Sequence, residues 1–331
     1  MAGTDRGHYD AVVIGSGFGG AVAAYHLVAG TDLKVLLLER GTPYPPGSFP
    51  RTPREMSRNF WDPSAGLHGL FEMWSFSHVR ALVSSGLGGG SLIYANVMLR
   101  KPPSSFDADP SNDGVAWPVT AADLTAEYDD AATVLAPTPL PDEYFEPPRE
   151  RGGVTKTQRF FAAAQAGGLV AERAPIAVTF RAAAAEGADA SDGGDAGDGG
   201  DAGESGAPAR AVPGVPFGEN NLHGRPRHTC TLVGECDIGC NEGAKNTLDY
   251  TYLTDFLAQG GDRARIFTCC EATGIEPADG GGYRVHFVEH RDARARVRRR
   301  RELHDAGAEL LDPETDETSD AWSRTVTAGV V

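Results

Sequence analysis

Two short apolar runs, separated by an alanine-rich stretch, form the clearest hydrophobic pattern of this chain. The first run covers residues 11–14 and the second covers residues 33–38, while the stretch between them spans residues 21–29. Short apolar runs that end at turn signals are typical of strands, and an alanine-rich segment favours a helix. The order strand, helix, strand predicts an α/β fold for this part of the chain.

Glycines join the first strand to the helix in a spacing that carries chemistry. Gly15, Gly17 and Gly20 follow the pattern G-x-G-x-x-G, in which the first permits a tight turn and the second lets backbone N–H groups approach a pyrophosphate. The third lets the helix pack closely on the sheet, and the positive end of the helix dipole near Gly19 favours phosphate. Glu39 ends the second strand, where a carboxylate accepts ribose hydroxyls and opposes the 2′-phosphate of NADP. The pattern therefore predicts a dinucleotide site for either NAD or FAD.

A second glycine-rich segment lies between residues 84 and 97. Its glycines and the serine that follows them are Gly86, Gly88, Gly89, Gly90 and Ser91. Backbone without side chains lets a loop touch a bulky anionic or planar ligand. The alternative is a flexible linker, which is disfavoured because an apolar segment follows directly and no charged or repeated serine residues extend the loop.

Three segments together resemble the glucose-methanol-choline oxidoreductases, and are most similar to the bacterial cholesterol-oxidase-like branch of that family. They are residues 13–20, residues 38–41 and residues 88–92. The resemblance implies FAD as the cofactor, which resolves the choice between NAD and FAD. It also implies the fold class, which is α/β, with a Rossmann-like FAD-binding domain, a β-meander and a partial inserted substrate domain.

The same resemblance implies the residues of the FAD site. The turn at residues 15–20 would hold the pyrophosphate, Glu39 the adenosine ribose, and the loop at residues 86–91 the pyrophosphate and the flavin side. Backbone around Ala272 would meet the adenine, and Asn96 would neighbour the isoalloxazine ring. The expected cofactor-binding residues are Gly15, Ser16, Gly17, Phe18, Gly19, Gly20, Glu39, Arg40, Gly86, Gly88, Gly89, Gly90, Ser91, Asn96 and Ala272.

The resemblance further implies a division of the chain and a reaction. Residues 1–135 would be the first part of the FAD-binding domain, residues 136–224 a substrate-domain or insert region, and residues 225–331 the second part of the FAD-binding domain. The family oxidises an alcohol by passing a hydride from the CH–OH carbon to the flavin while a base takes the hydroxyl proton. A sterol-like alcohol is the leading substrate class.

The catalytic machinery of the family has no match in this chain. In the family a C-terminal part supplies the catalytic histidine, and none of the nine histidines here corresponds to it, so we assign no catalytic residue. We therefore expect the N-terminal portion of an FAD-dependent oxidoreductase, inactive as an isolated chain. The alternative is a non-catalytic FAD-binding fragment or split subunit that needs a partner chain.

Residue patterns elsewhere predict local elements. Helices are expected at residues 120–135 with Thr120 as cap, at 157–166 and at 250–258, and strands at 265–275, 283–290 and 325–331. An aspartate-glycine repeat within residues 181–211 lacks the closing glutamate of a calcium loop and predicts a disordered acidic insertion. The basic stretch at residues 294–301 is interpreted as a solvated hairpin strand rather than a nucleic-acid site.

Aromatic residues return between the two glycine-rich segments, at Phe71, Trp74 and Phe76. Each by itself is more often part of an ordinary core. Together they indicate a segment that covers a cofactor or makes a domain contact.

Five cysteines raise the question of a metal site. Cys230, Cys236 and Cys240 fit three of the four positions of an iron–sulfur ligand run, and His228 could join them around zinc. The spacing matches no common zinc module, so we predict no metal, and an iron–sulfur or zinc redox protein stays an alternative. Cys269 and Cys270 would point to opposite faces of one strand and are predicted to be packed thiols.

The charge balance restricts the partners and the environment. The formal net charge is −16, from 46 acidic and 30 basic residues, which opposes nucleic acid and anionic membrane surfaces as partners. An acid-rich chain with few lysines suits a salty cytoplasm, so we expect a halophilic source, and stability unaffected by KCl would contradict this. No segment resembles a signal peptide or a membrane span, which favours a cytoplasmic location.

Overall fold

The structure is a computed structural model that describes residues 5–109, 114–145, 155–180, 214–290 and 321–331. The predicted acidic insertion at residues 181–211 and the predicted basic strand at residues 294–301 lie outside these ranges. The helices are α1 Phe18–Gly30, α2 Pro53–Ser57, α3 Thr125–Leu135, α4 Asp142–Phe145, α5 Thr155–Ala166 and α6 Tyr252–Gly260. The strands are β1 Asp5–Ile14, β2 Val35–Leu38, β3 Trp61–Asp62, β4 Leu67–His68, β5 Phe71–Ser75, β6 Arg80–Ser84, β7 Pro216–Phe217, β8 Arg227–His228, β9 Ala264–Phe267, β10 Cys270–Pro277, β11 Tyr283–His290 and β12 Ala321–Val330.

Six strands of the described residues form one sheet in the order β10-β11-β12-β1-β2-β9. The strands β12, β1, β2 and β9 run parallel, whereas β10, β11 and β12 form an antiparallel meander. The β-prone segment predicted at residues 325–331 is therefore a strand, and it pairs with β1. Three two-stranded pairs, β3–β4, β5–β6 and β7–β8, lie outside this sheet.

Strand β2 shows why its sequence is continuously apolar. Val35 and Leu37 pack into a core with α1 and α6, in which Ala21 of α1 is fully buried. Leu36 and Leu38 pack into a second core on the other face, with residues of the meander. Because both faces are covered, every position of the strand is buried, as is typical of a central parallel strand.

The strand predicted at residues 265–275 is wrong as a single element. It is divided between β9 and β10, which lie at opposite edges of the sheet and are joined by Thr268 and Cys269. Cys269 adopts a left-handed backbone with φ of 58°, which ends one strand and redirects the chain. The two cysteines consequently do not share a strand, although both side chains are buried, as expected for packed thiols.

The helix predicted from residue 120 begins later, at Thr125. Thr120 and Asp123 do exchange the expected capping bonds, from the Asp123 amide to the Thr120 hydroxyl at 3.3 Å and from the Thr120 amide to the Asp123 carboxylate at 2.8 Å. The next backbone bond, from the Thr125 amide to the Ala122 carbonyl at 3.3 Å, spans only three residues. A tighter turn therefore precedes the α-helix. The helices predicted at residues 157–166 and 250–258 correspond to α5 and α6, with starts shifted by two residues.

No helix in the described ranges combines the length and the apolar character that crossing a bilayer requires.

Candidate functional site

The first glycine turn links β1 to α1 and leaves the start of the helix uncapped by side chains. Gly15 has a φ of 91°, which glycine adopts without strain, and its amide donates to the Leu38 carbonyl at 2.8 Å. A Cβ atom on Gly20 would strike the Gly15 carbonyl oxygen, so the helix packs closely only with glycine there. Gly17 is the N-cap of α1 and makes no side-chain capping bond. The amides of the first helical turn are thus available to an anionic ligand.

The second glycine loop lies directly against the first. A Cβ atom on Gly89 would come within 2.6 Å of the Gly17 Cα atom, and Gly89 has a φ of 54°. The Gly88 amide donates to the Ser16 hydroxyl at 2.9 Å. Two motifs about 70 residues apart in the sequence therefore form one continuous glycine surface.

Ser91 supports this loop from inside. Its side chain is fully buried, and its hydroxyl donates to the Gly88 carbonyl at 2.7 Å and accepts from the Leu248 amide at 3.1 Å. Gly86 is also closely packed, because a Cβ atom there would meet the Leu92 side chain at 2.8 Å. Ser91 and Gly86 shape the loop from within.

Glu39 is buried at the end of β2, beside both glycine loops. Its carboxylate accepts hydrogen bonds from the Ser16 amide at 3.0 Å, from the Ser16 hydroxyl, and from the Gly41 amide at 2.7 Å. Burial raises the pKa of Glu39, and the hydrogen bond from the Ser16 hydroxyl opposes that rise. A carboxylate offers about four acceptor positions. One position on Oε1 is left over for a ligand hydroxyl.

Arg40 borders the cleft but is engaged on its other side. Its guanidinium pairs with Glu72 of β5 and lies 5.0 Å from the centre of the Trp61 ring. This arrangement ties the end of β2 to β5 and β3, with the Arg40 side chain about one quarter exposed.

Asn96, which follows the second glycine loop, is a buried polar residue whose side chain lacks hydrogen-bond partners. Its side chain is 1% exposed, its φ is 65°, and neither side-chain polar atom has a hydrogen-bond partner by ordinary distance and angle. The side-chain amide does lie near the Cys236 thiol. Burial raises the pKa of that thiol, and Lys245 and Asn96 oppose the rise. Buried polar groups without partners are rare and commonly mark a place for a ligand.

These elements surround a cleft of about 550 Å³. Its lining includes eight of the residues expected from the sequence, which are Gly15, Ser16, Gly17, Glu39, Arg40, Gly89, Gly90 and Ala272. The other expected residues do not line it: Phe18, Gly19, Gly20, Gly86, Gly88, Ser91 and Asn96. The lining also contains residues that the sequence motifs did not predict, which are Ile14, Leu38, Leu82, Val83, Ser84, Cys270 and Glu271. Those from β6 could have been found from their place just before the second glycine loop.

The cysteine segment, residues 230–240, contains the candidate cysteine ligands for a metal ion. Within the described ranges no three or more histidine, cysteine, aspartate or glutamate side chains are grouped as a metal ion requires. Cys230, Cys236 and Cys240 are free thiols, and burial raises the pKa of Cys230 to about 11.

Comparison with known proteins gives relatives over most of the chain. The family of NAD(P)-binding Rossmann-like domains matches residues 13–47, which span β2, α1 and the first glycine turn. A cholesterol oxidase from Acinetobacter baumannii is 28% identical over 82% of this chain and 42% of its own length. A cholesterol oxidase from Mycobacterium tuberculosis is 29% identical over 85% of this chain and 42% of its own length.

The similarity to the two cholesterol oxidases supports the resemblance to the glucose-methanol-choline oxidoreductases. The resemblance inferred from the motifs and the Rossmann-like α/β fold are thereby confirmed. A 6'''-hydroxyparomomycin C oxidase from Streptomyces lividus is 35% identical over 37% of this chain and 22% of its own length. The solved structure of a formate oxidase from Aspergillus oryzae RIB40 matches 99% of this chain and 45% of its own chain. The TM-score is 0.41 and the sequence identity is 10%, so the structural similarity is weak. The chain spans 42% of the length of the cholesterol oxidases it matches.

Proposed function

We propose that this chain is the FAD-binding part of a flavin-dependent oxidoreductase that acts on CH–OH groups, with a sterol-like alcohol as the leading substrate class. The observation that carries the proposal is the contact between the two glycine loops beside Glu39. The relatives named as oxidases support the reaction class.

The residues of the cleft fit FAD in three ways. The first turn of α1 offers amides without side-chain caps, which suits a pyrophosphate. A Cβ atom on Gly17 or on Gly90 would meet nothing within 4 Å, so open space adjoins the backbone of both loops. The free acceptor position of Glu39 suits a ribose hydroxyl, and its charge disfavours a 2′-phosphate.

Asn96 and the two loops would hold the cofactor, and the chain's own task is to orient it. When bound, FAD supplies the acceptor for a hydride from the alcohol carbon. The glycine surface lets backbone amides approach the phosphates, and Glu39 fixes the adenosine end. The unpartnered amide of Asn96 would complete its hydrogen bonds on the flavin side. We assign no proton-transfer residue in this chain, and expect the isolated chain to be inactive.

The test is a substitution that fills the cleft and spares the fold. Gly17→Ala places a methyl group in the open space beside the first glycine turn. We expect FAD to bind the wild type, measured by flavin fluorescence after removal of free flavin, and to bind Gly17→Ala about tenfold more weakly, about 1.4 kcal/mol.

The matched control is Gly30→Ala, at the far end of the same helix, where a Cβ atom also meets nothing within 4 Å. This variant should bind FAD as the wild type does. Binding of NAD in place of FAD, or equal FAD affinity in Gly17→Ala and wild type, would overturn the proposal.

A second candidate function is a split subunit that needs a partner chain. The hairpin of β5 and β6, called the apolar hairpin below, exposes large apolar side chains. They are Met73, Trp74, Phe76, Val79 and Leu82, each 47% to 60% exposed. An exposed apolar group of this size favours a protein contact.

Co-expression separates the two candidates. The chain would be produced alone and together with a polypeptide that covers the remaining length of the cholesterol oxidases. Alcohol oxidation by the pair, and by neither chain alone, would support the split subunit. Oxidation by this chain alone would contradict it. The cytoplasmic location and the salt-adapted source stay predictions that these assays do not address.

A further inference from the structure

Lys245 is a lysine in a place where lysine is rarely found. It is 1% exposed and is among the largest fully buried side chains in the described residues. Its Nζ atom donates to three backbone carbonyls, of Leu92 at 3.0 Å, Tyr94 at 3.0 Å and Cys236 at 2.8 Å. An ammonium group has three donors and no acceptor, so all of its hydrogen bonds are used.

The three carbonyls that accept from Lys245 belong to two segments that lie far apart in the sequence. Leu92 ends the short 3₁₀ helix Gly89–Leu92 of the second glycine loop, and Tyr94 is the second residue after it. Cys236 belongs to the cysteine segment, on the other side of the amine. Lys245 therefore joins the end of the second glycine loop to a part of the chain more than 140 residues away. A cation is also well placed where helix carbonyls point outward.

Core packing alone does not account for a lysine here. A methionine would fill a similar volume without the free-energy cost of burying a charge. The loop also has a second support from the same segment, because the Leu248 amide donates to the Ser91 hydroxyl. Residues 245–248 thus hold the C-terminal end of the loop at two places, at Ser91 from inside and at Leu92 and Tyr94 just beyond it.

We propose that Lys245 is a positioning residue for the cofactor site, whose ammonium group sets the backbone from Leu92 to Asn96 behind the second glycine loop. This inference rests on the proposed function, since it concerns the same cleft. Lys245 touches neither the cleft nor a ligand, and acts through the loop.

The surroundings of the amine make its charge sensitive to pH. Burial lowers the pKa of Lys245 to about 8. The groups that oppose this shift are Cys236, Cys240, Asp237 and Asp249. The Tyr94 ring lies 5.1 Å from Nζ, and burial raises the pKa of its phenol to about 12, so it stays neutral. The Arg227 guanidinium donates to the backbone carbonyl of Lys245 at 2.9 Å. Above pH 8 the amine becomes neutral and loses one of its three donors.

The experiment measures FAD affinity by flavin fluorescence from pH 6.5 to pH 9.5. It compares the wild type with Lys245→Met, Lys245→Arg and the control Lys101→Met, which removes an exposed lysine. We expect wild-type affinity to fall about tenfold with a midpoint near pH 8, and Lys245→Met to be weak and independent of pH. Lys245→Arg, which keeps its charge, should retain affinity at high pH. The control should follow the wild type.

A parallel pH dependence in wild type and Lys245→Met would overturn the proposal, as would equal affinity at pH 7. If Lys245→Met does not fold, the wild-type profile decides, because a profile flat to pH 9.5 also overturns it. If the wild type binds no FAD at any pH, the proposed function fails by itself. Hydrogen exchange of residues 86–96, corrected for intrinsic rate, then tests Lys245: faster exchange above pH 8 supports its positioning role, and unchanged exchange overturns it.

Discussion

Strand β2 and the apolar hairpin are both rich in large apolar residues, yet they have opposite surroundings. Each residue of β2 is at most 1% exposed, whereas five large side chains of the hairpin are about half exposed. The helices cover one face of β2 and the meander covers the other. The hairpin has one buried end, at Phe71, and no layer of described residues over its tip. An apolar strand sequence indicates that other residues pack against the strand. The pattern does not identify which segment or chain supplies those residues.

The cleft lies where these two regions meet. Leu38 of β2 and Leu82 of the hairpin both line it. One wall of the cleft therefore belongs to the buried core, and the other belongs to the exposed hairpin. We therefore expect the same substitution to change the free energy of unfolding by different amounts in the two walls.

The largest expected effect on stability is in β2, at the buried wall of the cleft. Leu38→Ala should lower the free energy of unfolding by about 3 kcal/mol, because a fully buried leucine leaves a cavity when it is truncated. Leu82→Ala in the hairpin should cost less than about 1 kcal/mol, since its side chain is half exposed. Denaturant titration followed by circular dichroism measures both. Equal losses in the two variants would contradict the expected difference between the two walls.

Glu39, at the boundary between the walls, should show an intermediate effect that depends on pH. Glu39→Gln should destabilise the protein by about 1 kcal/mol at pH 4.5, because an amide N–H replaces an acceptor that faces the Gly41 amide. The raised pKa means that the native state holds this proton more tightly than the unfolded state. Its contribution to stability is present below the unfolded pKa and is lost as pH rises through the folded pKa. The difference between wild type and variant should thus shrink from pH 4.5 to pH 7, and a difference that grows would contradict this.

The smallest effect on stability is expected at the hairpin tip. Trp74 and Phe76 stack with ring centres 6.2 Å apart, and both are exposed. Phe76→Ser should change the free energy of unfolding by less than about 0.5 kcal/mol. It should also lower the fluorescence of the apolar dye ANS, which reports exposed apolar surface. Phe256→Ser, in the core beside α1, serves as the destabilising control. Unchanged dye fluorescence would show that the hairpin is not the main exposed apolar surface.

Local patterns predicted the parts of the site that depend on neighbouring residues. The turn at Gly15 and the close packing at Gly20 follow from a spacing within six residues. The approach of Gly89 to Gly17 does not, because it depends on how the chain returns after β6. The same holds for Lys245, whose three acceptors come from two distant segments.

Backbone conformation at Cys269 also limited what the sequence could predict. The residues around Cys269 read as one strand, since β-prone residues occupy both sides of it. The left-handed backbone at a cysteine is strained, and tertiary bonds stabilise it, from the Cys269 amide to Gly41 and from the His290 amide to the Cys269 carbonyl. Propensity does not reveal such a break, because the bonds that hold it come from residues far along the chain.

The pairing of β1 with β12 has a consequence for synthesis. Ala11 lies opposite Val330, so β1 takes one of its neighbours from residues 321–330, which are translated much later. The residues between the two strands number about 300, which a ribosome adds in about 15–60 s. During that time one edge of β1 has no partner, and contacts of such long sequence separation form slowly. Nascent chains of this protein should therefore be clients of chaperones that shield open strand edges until translation has passed β12.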